Sequence, residues 1–389
     1  MNHDELRAWL RLSLTDGVGN DAARRLLACF GSPQAIFTQT EAALRQVVTS
    51  KQTQALLQEP HEVALQCVRT QQWLAHATPH TGHALWTLGD AHYPKALLEL
   101  ADPPLMLYAQ GQIEGPLGSA IAVVGSRNPT PQGAQTAEQF GQALSAAGLT
   151  VVSGLALGVD GAAHRGALHE AHRATPHSPK AAPWRTVAVV GTGLDRVYPR
   201  QHHALAAQIA QHGVLISEYP LGTPPLAPNF PKRNRLIAAL GLGTLVVEAA
   251  LQSGSLITAR LALDVGREVL AIPGSIHSPQ SHGCHALIRQ GAKLVETAQD
   301  VLEELQWQPA QALWETQTVS ATHDKSSPAT HDAASALLHE LGYAPVSLDV
   351  LQARCGLDTA TLQAQLLGLE LEGLLARLPG GLFQRLGGA

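Results

Sequence analysis

The sequence predicts an α/β chain in which a doubly wound, mostly parallel sheet stands between a small helical domain in front and a winged helix behind. Three observations predict it. From Ser119 to about residue 305, short Val/Ile/Leu/Ala runs alternate with helical segments in strict strand, loop, helix order, the pattern of a parallel sheet covered on both faces. The 389 residues are 45% hydrophobic and 15% charged, and a chain of that length divides into about two or three domains, each able to bury a core. Aromatic residues supply only 4%, and 35 Gly and 24 Pro stand against 2 Met, so the cores must be built from Ala, Leu and Val joined by many turns.

Residues 1–75 are rich in Ala, Leu and Gln, with apolar side chains at helical spacing and turn signals at Gly17-Val18-Gly19 and Gly31-Ser32-Pro33. They are expected to form a helical domain of the SAM-like or helix-hairpin-helix type, Asp16-Gly17-Val18-Gly19 leading into Ala23, Leu26, Leu27 and Phe30. A glycine turn of this kind can offer backbone N–H groups to a phosphate, but Asp16 and Asp21 flank it, which favours a plain turn between packed helices. Residues 76–118, with Pro79, Pro94, Pro103, Pro104 and Pro116, read as an extended connector.

The sheet domain is expected over 119–305, with strands at Ala120–Val124, Thr150–Val152, Thr186–Val190, Val214–Ser217, Thr244–Val247 and Glu268–Ala271. Each is apolar along its whole length, as burial on both faces requires. Helices are expected at Pro131–Ala147, Asp160–Ala171, Gln201–His212 and Ser255–Gly266, and Arg173–Trp184 reads as a surface loop. Residues 306–332 lack a period and read as a flexible linker. Residues 333–389 then supply a helix at Ala333–Leu341, a second around Ser347–Cys355, the turn Gly356-Leu357-Asp358, a third at Thr359–Glu372 and a hairpin about Pro379-Gly380-Gly381, which together make a winged helix-turn-helix.

Composition excludes several classes of function. The four cysteines, Cys29, Cys67, Cys284 and Cys355, have no CxxC spacing, which argues against a disulfide framework or a zinc ribbon and for a reducing cytoplasm. The N-terminus MNHDELRAWLRL is acidic where a signal peptide is basic, and no apolar run approaches the ~18 residues of a membrane helix, so neither secretion nor membrane insertion is expected. No GxxxxGK[ST] occurs, and the first strand is followed by GSRNPTPQG rather than GxGxxG. Gly191-Thr192-Gly193 follows a later strand, and no cofactor is expected. Asp160, Asp195, Glu218 and Glu248 fall one to a loop, and the 19 histidines are dispersed without HExxH context, so neither a metal-dependent nuclease nor a metal site is expected.

Net charge is −5, which taken alone opposes nucleic-acid binding, yet residues 120–305 hold 14 basic against 12 acidic side chains while both flanking regions are acidic. So small an excess can act only through placement. In a doubly wound sheet ligands bind beyond the carboxyl ends of the strands, at helix N-termini. The first strand of the alternation ends in Gly125-Ser126-Arg127, with Thr130-Pro131 opening the next helix, and the second ends in Ser153-Gly154 followed by Leu155-Ala156-Leu157-Gly158, with Asp160 expected to cap a helix. Ser253-Gly254-Ser255 opens another helix, and between these loops lies Phe230-Pro231-Lys232-Arg233-Asn234-Arg235. Three cations in four residues behind an aromatic suit a nucleic-acid strand, since Lys and Arg neutralise phosphate and Phe230 can stack a base.

Taken in order, Tyr93-Pro94, Asp102-Pro103-Pro104, Val123-Val124-Gly125-Ser126-Arg127, Ser153-Gly154-Leu155-Ala156, Gly193-Leu194-Asp195 with Tyr198-Pro199, Ser217-Glu218-Tyr219-Pro220, Phe230-Pro231 with Arg233-Asn234-Arg235, Val247-Glu248-Ala249, Ser253 to Ala259 and Gly266-Arg267-Glu268-Val269 resemble the DprA/Smf family, DNA-processing proteins of bacterial transformation. The resemblance runs over about 93–305, and the helical front and winged-helix tail agree with the family's three-part build. It implies a Rossmann-like domain that binds single-stranded DNA in a basic pocket, protects incoming DNA, self-associates as a homodimer and loads RecA, in the cytoplasm and without catalysis. Carried over by motif, the pocket comprises Gly125, Ser126, Arg127, Ser153, Gly154, Phe230, Lys232, Arg233, Asn234 and Arg235. Two departures stand out. Gly283-Cys284-His285-Ala286-Leu287-Ile288 replaces the family's Gly-Thr-Asn-x-Leu-Ile, and Leu157 replaces an Arg common among relatives. An enzymatic alternative rests on Gly241-Leu242-Gly243-Thr244 with Glu248, which resembles the GGxGTxxE loop of lysine-decarboxylase-like nucleotide hydrolases that cleave N-glycosidic bonds, although the preceding Pro-Gly-Gly is absent.

Overall fold

The order of apolar runs along the chain becomes the order of strands in one sheet. The structure is a computed structural model describing residues 1–78, 81–169, 184–308 and, from 337 to 386, all but 339, 343, 344 and 379. Among the described residues nine strands pair: β1 (Gly82–Thr87), β2 (Met106–Gly111), β3 (Ala120–Val124), β4 (Thr150–Ser153), β5 (Thr186–Val189), β6 (Val214–Ser217), β7 (Gly243–Val246), β8 (Glu268–Ala271) and β9 (Lys293–Leu294), in the spatial order β1-β2-β6-β5-β4-β3-β7-β8-β9. From β6 across to β9 every pairing is parallel. The connections run one way from β3 through β4 to β6 and the other way through β7 to β9, so the crevice of the fold opens between the loops that follow β3 and β7.

The alternation of side chains along each strand divides the core into two faces. Ile121, Val123, Val151, Leu245 and Leu270 pack against α7 (Pro131–Ala146) and α8 (Val159–His169). Ala122, Val124, Val152, Val246 and Ala271 pack against α10 (Asn229–Leu240) and α11 (Ser255–Asp264). The start of α7 follows from Thr130, whose Oγ1 accepts the Gly133 N–H at 2.9 Å, and from Pro131 at the first helical position.

Two expectations are corrected. Residues 76–118 are not a connector: β1 and β2 form a hairpin registered from Gly82↔Gly111 to Thr87↔Met106, and β2 adds antiparallel to β6, which makes the sheet mixed at that edge. The prolines that suggested a connector, Pro94, Pro103 and Pro104, sit in the stretch between the two strands, where a missing N–H breaks no ladder. Trp184, expected at the end of a surface loop, is buried, stacks on Trp86 at 5.9 Å and donates from Nε1 to the Gln112 carbonyl at 2.6 Å. The rest of that loop and most of the expected linker lie outside the described residues.

In front, α1 (His3–Leu14) and α2 (Asn20–Phe30) meet at the glycine turn, where Gly17 takes φ +73, and α3 (Pro33–Phe37), α4 (Glu41–Arg45), α5 (Ser50–Leu57) and α6 (Val63–Ala75) complete the domain. Its core runs without a break into the sheet domain, with Leu10, Leu26 and Ile36 in one cluster with Tyr108, Leu194, Leu215 and Ile209 of α9 (His203–His212). Behind, α12 (His282–Arg289) and α13 (Ala298–Glu304) close the sheet domain. The winged helix comprises β10 (Val346–Ser347), α14 (Leu348–Cys355), α15 (Thr359–Leu371), β11 (Leu375–Leu378) and β12 (Leu382–Arg385), around Leu351, Leu362, Leu366 and Phe383. Of its expected first helix, residues 333–336 and 339 lie outside the described residues.

Candidate nucleic-acid interface

A cleft of about 500 Å³ opens at the carboxyl ends of β3 and β7, lined by Gly125, Ser126 and Arg127 from the first loop, Phe230 and Asn234 from α10, and Ser253, Gly254 and Ser255 from the second loop. The first loop is held by the Ser126 N–H, which donates to the Glu248 carbonyl at 2.6 Å, and only glycine fits at 125, where a Cβ would stand 2.9 Å from that same oxygen. Arg127 is exposed, with its guanidinium carbon 5.6 Å from the centroid of Phe230. Phe230 owes its position to the start of α10, where Asn229 is buried and donates from Nδ2 to the Gly191 carbonyl at 3.0 Å.

The loop after β4 is braced rather than open. Ser153 is fully buried and its hydroxyl donates to the Val123 carbonyl at 2.6 Å, so it is spent inside the sheet. Asp160, expected to cap α8, instead accepts from the Gly154 and Ala156 N–H groups at 3.1 and 3.3 Å. Arg233 donates from Nη1 to the Gly154 carbonyl at 2.6 Å and also to the Val189 carbonyl. Leu155, at φ +59, is held by its carbonyl against His202 Nδ1 at 3.0 Å. Burial drives the chemistry here: it lowers the Arg233 guanidinium to about 10 despite the nearby Asp160 carboxylate, and it raises the Asp160 carboxyl despite the charge of Arg233.

The cluster expected to face phosphate as one patch is therefore divided by the turn of α10. Arg127 is the exposed cation of the cleft, with Phe230 and Asn234 beside it. Lys232 is exposed and stands 4.0 Å from Glu218 and 5.9 Å from the Tyr219 ring. Arg233 is 4% exposed and faces inward, and Gly154 has both its N–H and its carbonyl engaged. Arg235 lies 2.5 Å from Glu218 and 3.9 Å from Asp102, with its side chain only 12% exposed. Asn20 and Arg24 of the front domain join the same network, at 3.2 Å from Glu218 and 3.3 Å from Asp102 respectively. Among the residues expected to meet phosphate, Ser153 through Oγ, Arg233 through Nη1 and Arg235 through Nη2 are thus engaged by acceptors inside the protein. No sequence signal marks His202 as a loop support, since its partner Leu155 lies 47 residues away.

Both departures acquire a structural reading. Cys284 is fully buried, its Sγ 3.7 Å from the Val246 and Val247 carbonyls, and burial pushes its thiol up to about 12. It packs α12 beneath the β7 loop. Leu157 is 38% exposed on the loop after β4. Glu248, the acid of the enzymatic alternative, accepts from the Thr130 N–H at 2.9 Å and from its hydroxyl at 2.6 Å, one bond to each oxygen. It lines a different cavity, of about 560 Å³, from the one lined by Arg127 and Phe230. Among the described residues no three His, Cys, Asp or Glu side chains converge to hold a metal, and no helix is long and apolar enough to cross a membrane.

The family model for DNA recombination-mediator protein A matches residues 84–306, and that for the DprA winged helix domain matches residues 321–381. Protein Smf of Escherichia coli (strain K12) is 40% identical over 304 residues, which cover 77% of this chain and 76% of that protein. The DNA processing protein DprA of Streptococcus pneumoniae is 44% identical over 218 residues, 56% of this chain and 73% of that protein. The X-ray structure of DNA processing protein A from Streptococcus pneumoniae is similar at a TM-score of 0.62 and 33% identity, over 78% of this chain and 98% of that one.

Proposed function

Because the chain belongs to the DNA recombination-mediator protein A family, we propose that it binds single-stranded DNA without sequence preference at the Arg127–Phe230 cleft, protects the strand and loads RecA onto it. The observation that carries the reading is an exposed guanidinium beside an aromatic ring at the switch point of the sheet, the pairing that tracks a phosphate backbone and its bases. Loading of RecA, assembly as a homodimer and a cytoplasmic location rest on the family resemblance. The strand is held and handed on rather than cleaved, and the protein acts without catalysis. Glu248 supports this over N-glycosidic hydrolysis, since both its oxygens already accept hydrogen bonds away from the Arg127 cleft.

A salt titration of the full chain against poly(dT) and against duplex tests the proposal. Binding to poly(dT) should be the tighter, with log K falling linearly as log salt rises. Preference for duplex, or release of free base on incubation with nucleoside monophosphates, would refute it.

A further inference from the structure

The ring beside this cleft that is best placed to accept an unpaired base is Tyr198. Phe230 is crowded. Gly191 lies against one edge, where a Cβ would come 3.2 Å from Cδ1, the Arg127 guanidinium sits 5.6 Å from the centroid, and the Tyr198 ring stands 5.5 Å away at 42°. A base inserted between the two rings would need two van der Waals separations in series, about 7 Å or more, which this wedge does not provide. Tyr198 itself is 45% exposed, and among the described Phe, Tyr and Trp residues it is the one that is exposed. The others are all buried or more than half-buried, and Phe230 links the exposed ring to the Arg127 guanidinium, which stand 5.5 and 5.6 Å from its centroid.

The backbone that carries it is fixed in advance. The Arg196 N–H donates to the Gly193 carbonyl at 3.1 Å, the Thr192 hydroxyl donates to the Arg196 carbonyl at 3.1 Å, and Pro199 on the far side is buried. A ring presented from such a turn loses little freedom when a base settles on it.

We propose that Tyr198 is the platform on which a base of the bound strand stacks, with Phe230 as its support and Arg127 holding the adjoining phosphate. The inference rests on the single-strand reading and adds the ring that reads it. Stacking is tolerant of base identity, because every base has a π-face, so this platform fits a protein that takes strands of any sequence.

The test uses the full chain with oligo(dT) and three variants. Tyr198→Ala should bind about 5- to 150-fold more weakly, the span of one stacked base, with an unchanged slope of log K against log salt, because a stacked ring releases no counterion. Tyr198→Phe should restore wild-type affinity. Arg127→Ala should weaken binding and flatten the slope, which locates the strand independently of the tyrosine. Photo-cross-linking with 5-iodouracil-substituted oligo(dT), read by mass spectrometry, should place the adduct on the peptide containing Tyr198. A Tyr198→Ala protein that binds like wild type while Arg127→Ala is weakened would overturn the platform alone. Failure of the wild-type protein to bind oligo(dT) would overturn the platform and the single-strand reading together.

Discussion

A guanidinium in water keeps its charge without penalty, whereas Arg233 holds its own at 4% exposure, with the ends of β4 and β5 as acceptors and Asp160 nearby. Arg127, on the loop after β3, is exposed to solvent. The two residues should therefore fail differently. Arg127→Ala should flatten the salt dependence of single-strand binding by ~0.7 for each phosphate it no longer neutralises, with little effect on thermal unfolding. Arg233→Lys should lower stability by ~2 kcal/mol, because two buried carbonyls lose a matched donor, and should weaken binding without changing the salt slope. Equal salt slopes in wild type and Arg127→Ala would remove Arg127 from the interface. Arg235→Ala should behave as a structural lesion, costing ~2 kcal/mol because the largely buried Glu218 loses its closest charged donor and keeps only Asn20 at 3.2 Å and Lys232 at 4.0 Å, while single-strand affinity per folded molecule stays near wild type. Denaturant unfolding and fluorescence anisotropy on the same preparations separate the two classes.

At the scale of elements, α8 carries a pH dependence. His164 is fully buried, and since the Thr186 hydroxyl donates to the Val151 carbonyl at 2.7 Å, the same oxygen must accept the Nδ1–H of His164 at 2.7 Å. Nε2 is left without a donor, and burial together with the charges of His202 and Arg233 pulls the imidazole from 6.5 to about 3. The unfolded chain takes up this proton below pH 6.5 and the folded chain does not. The contribution is therefore present above pH 6.5 and is lost as the pH falls from there toward 3, at up to ~1.4 kcal/mol per unit. Urea unfolding of wild type and His164→Gln between about pH 7 and pH 4 checks it: the variant should show the shallower loss. In the winged helix, α15 bears no Lys or Arg, and Leu367 and Leu371 are 56% and 81% exposed, which is not the face of a helix that enters a major groove. Removing residues 309–389 should accordingly leave single-strand affinity and salt slope as they are, and a large fall in affinity would assign DNA binding to this domain.

For the whole molecule, the front domain and the sheet share one core, and Asn20 and Arg24 tie them through the acids that also hold Arg235. The front domain thus shares Asp102 and Glu218 with Arg235 of the helix that carries Phe230. Leu263, Ile276 and Leu294 are 59%, 73% and 50% exposed, all within the segment around β8 and β9 where the sheet ends in a two-residue strand. The short β9 closes this side of the sheet, where we propose that two copies of the chain meet in the homodimer. Light scattering at micromolar concentration should return about twice the 41.1 kDa chain mass, and a monomer with full DNA affinity would separate assembly from binding.

The sequence by itself determined the parallel strands, because a strand buried on both faces can only be an apolar run, and Ile121, Val151, Val187 and Leu245 tolerate nothing else. It also determined the loops at which a ligand meets the sheet, since Gly125 and Thr130-Pro131 are locally demanded by close approach and helix start. The β1–β2 hairpin was hidden because its strands are short and set among prolines that mark a turn and an edge strand alike. Which of the cations face solvent was decided only by the tertiary structure. The acceptors that draw Arg233 inward come from strands 44 and 79 residues away, and the acids that take Arg235 belong to separate loops, so identical side chains two positions apart on α10 are assigned by what packs against the helix. Tyr198 became legible for the same reason, as its meaning lies in Phe230, a ring far along the chain that folding brings to 5.5 Å.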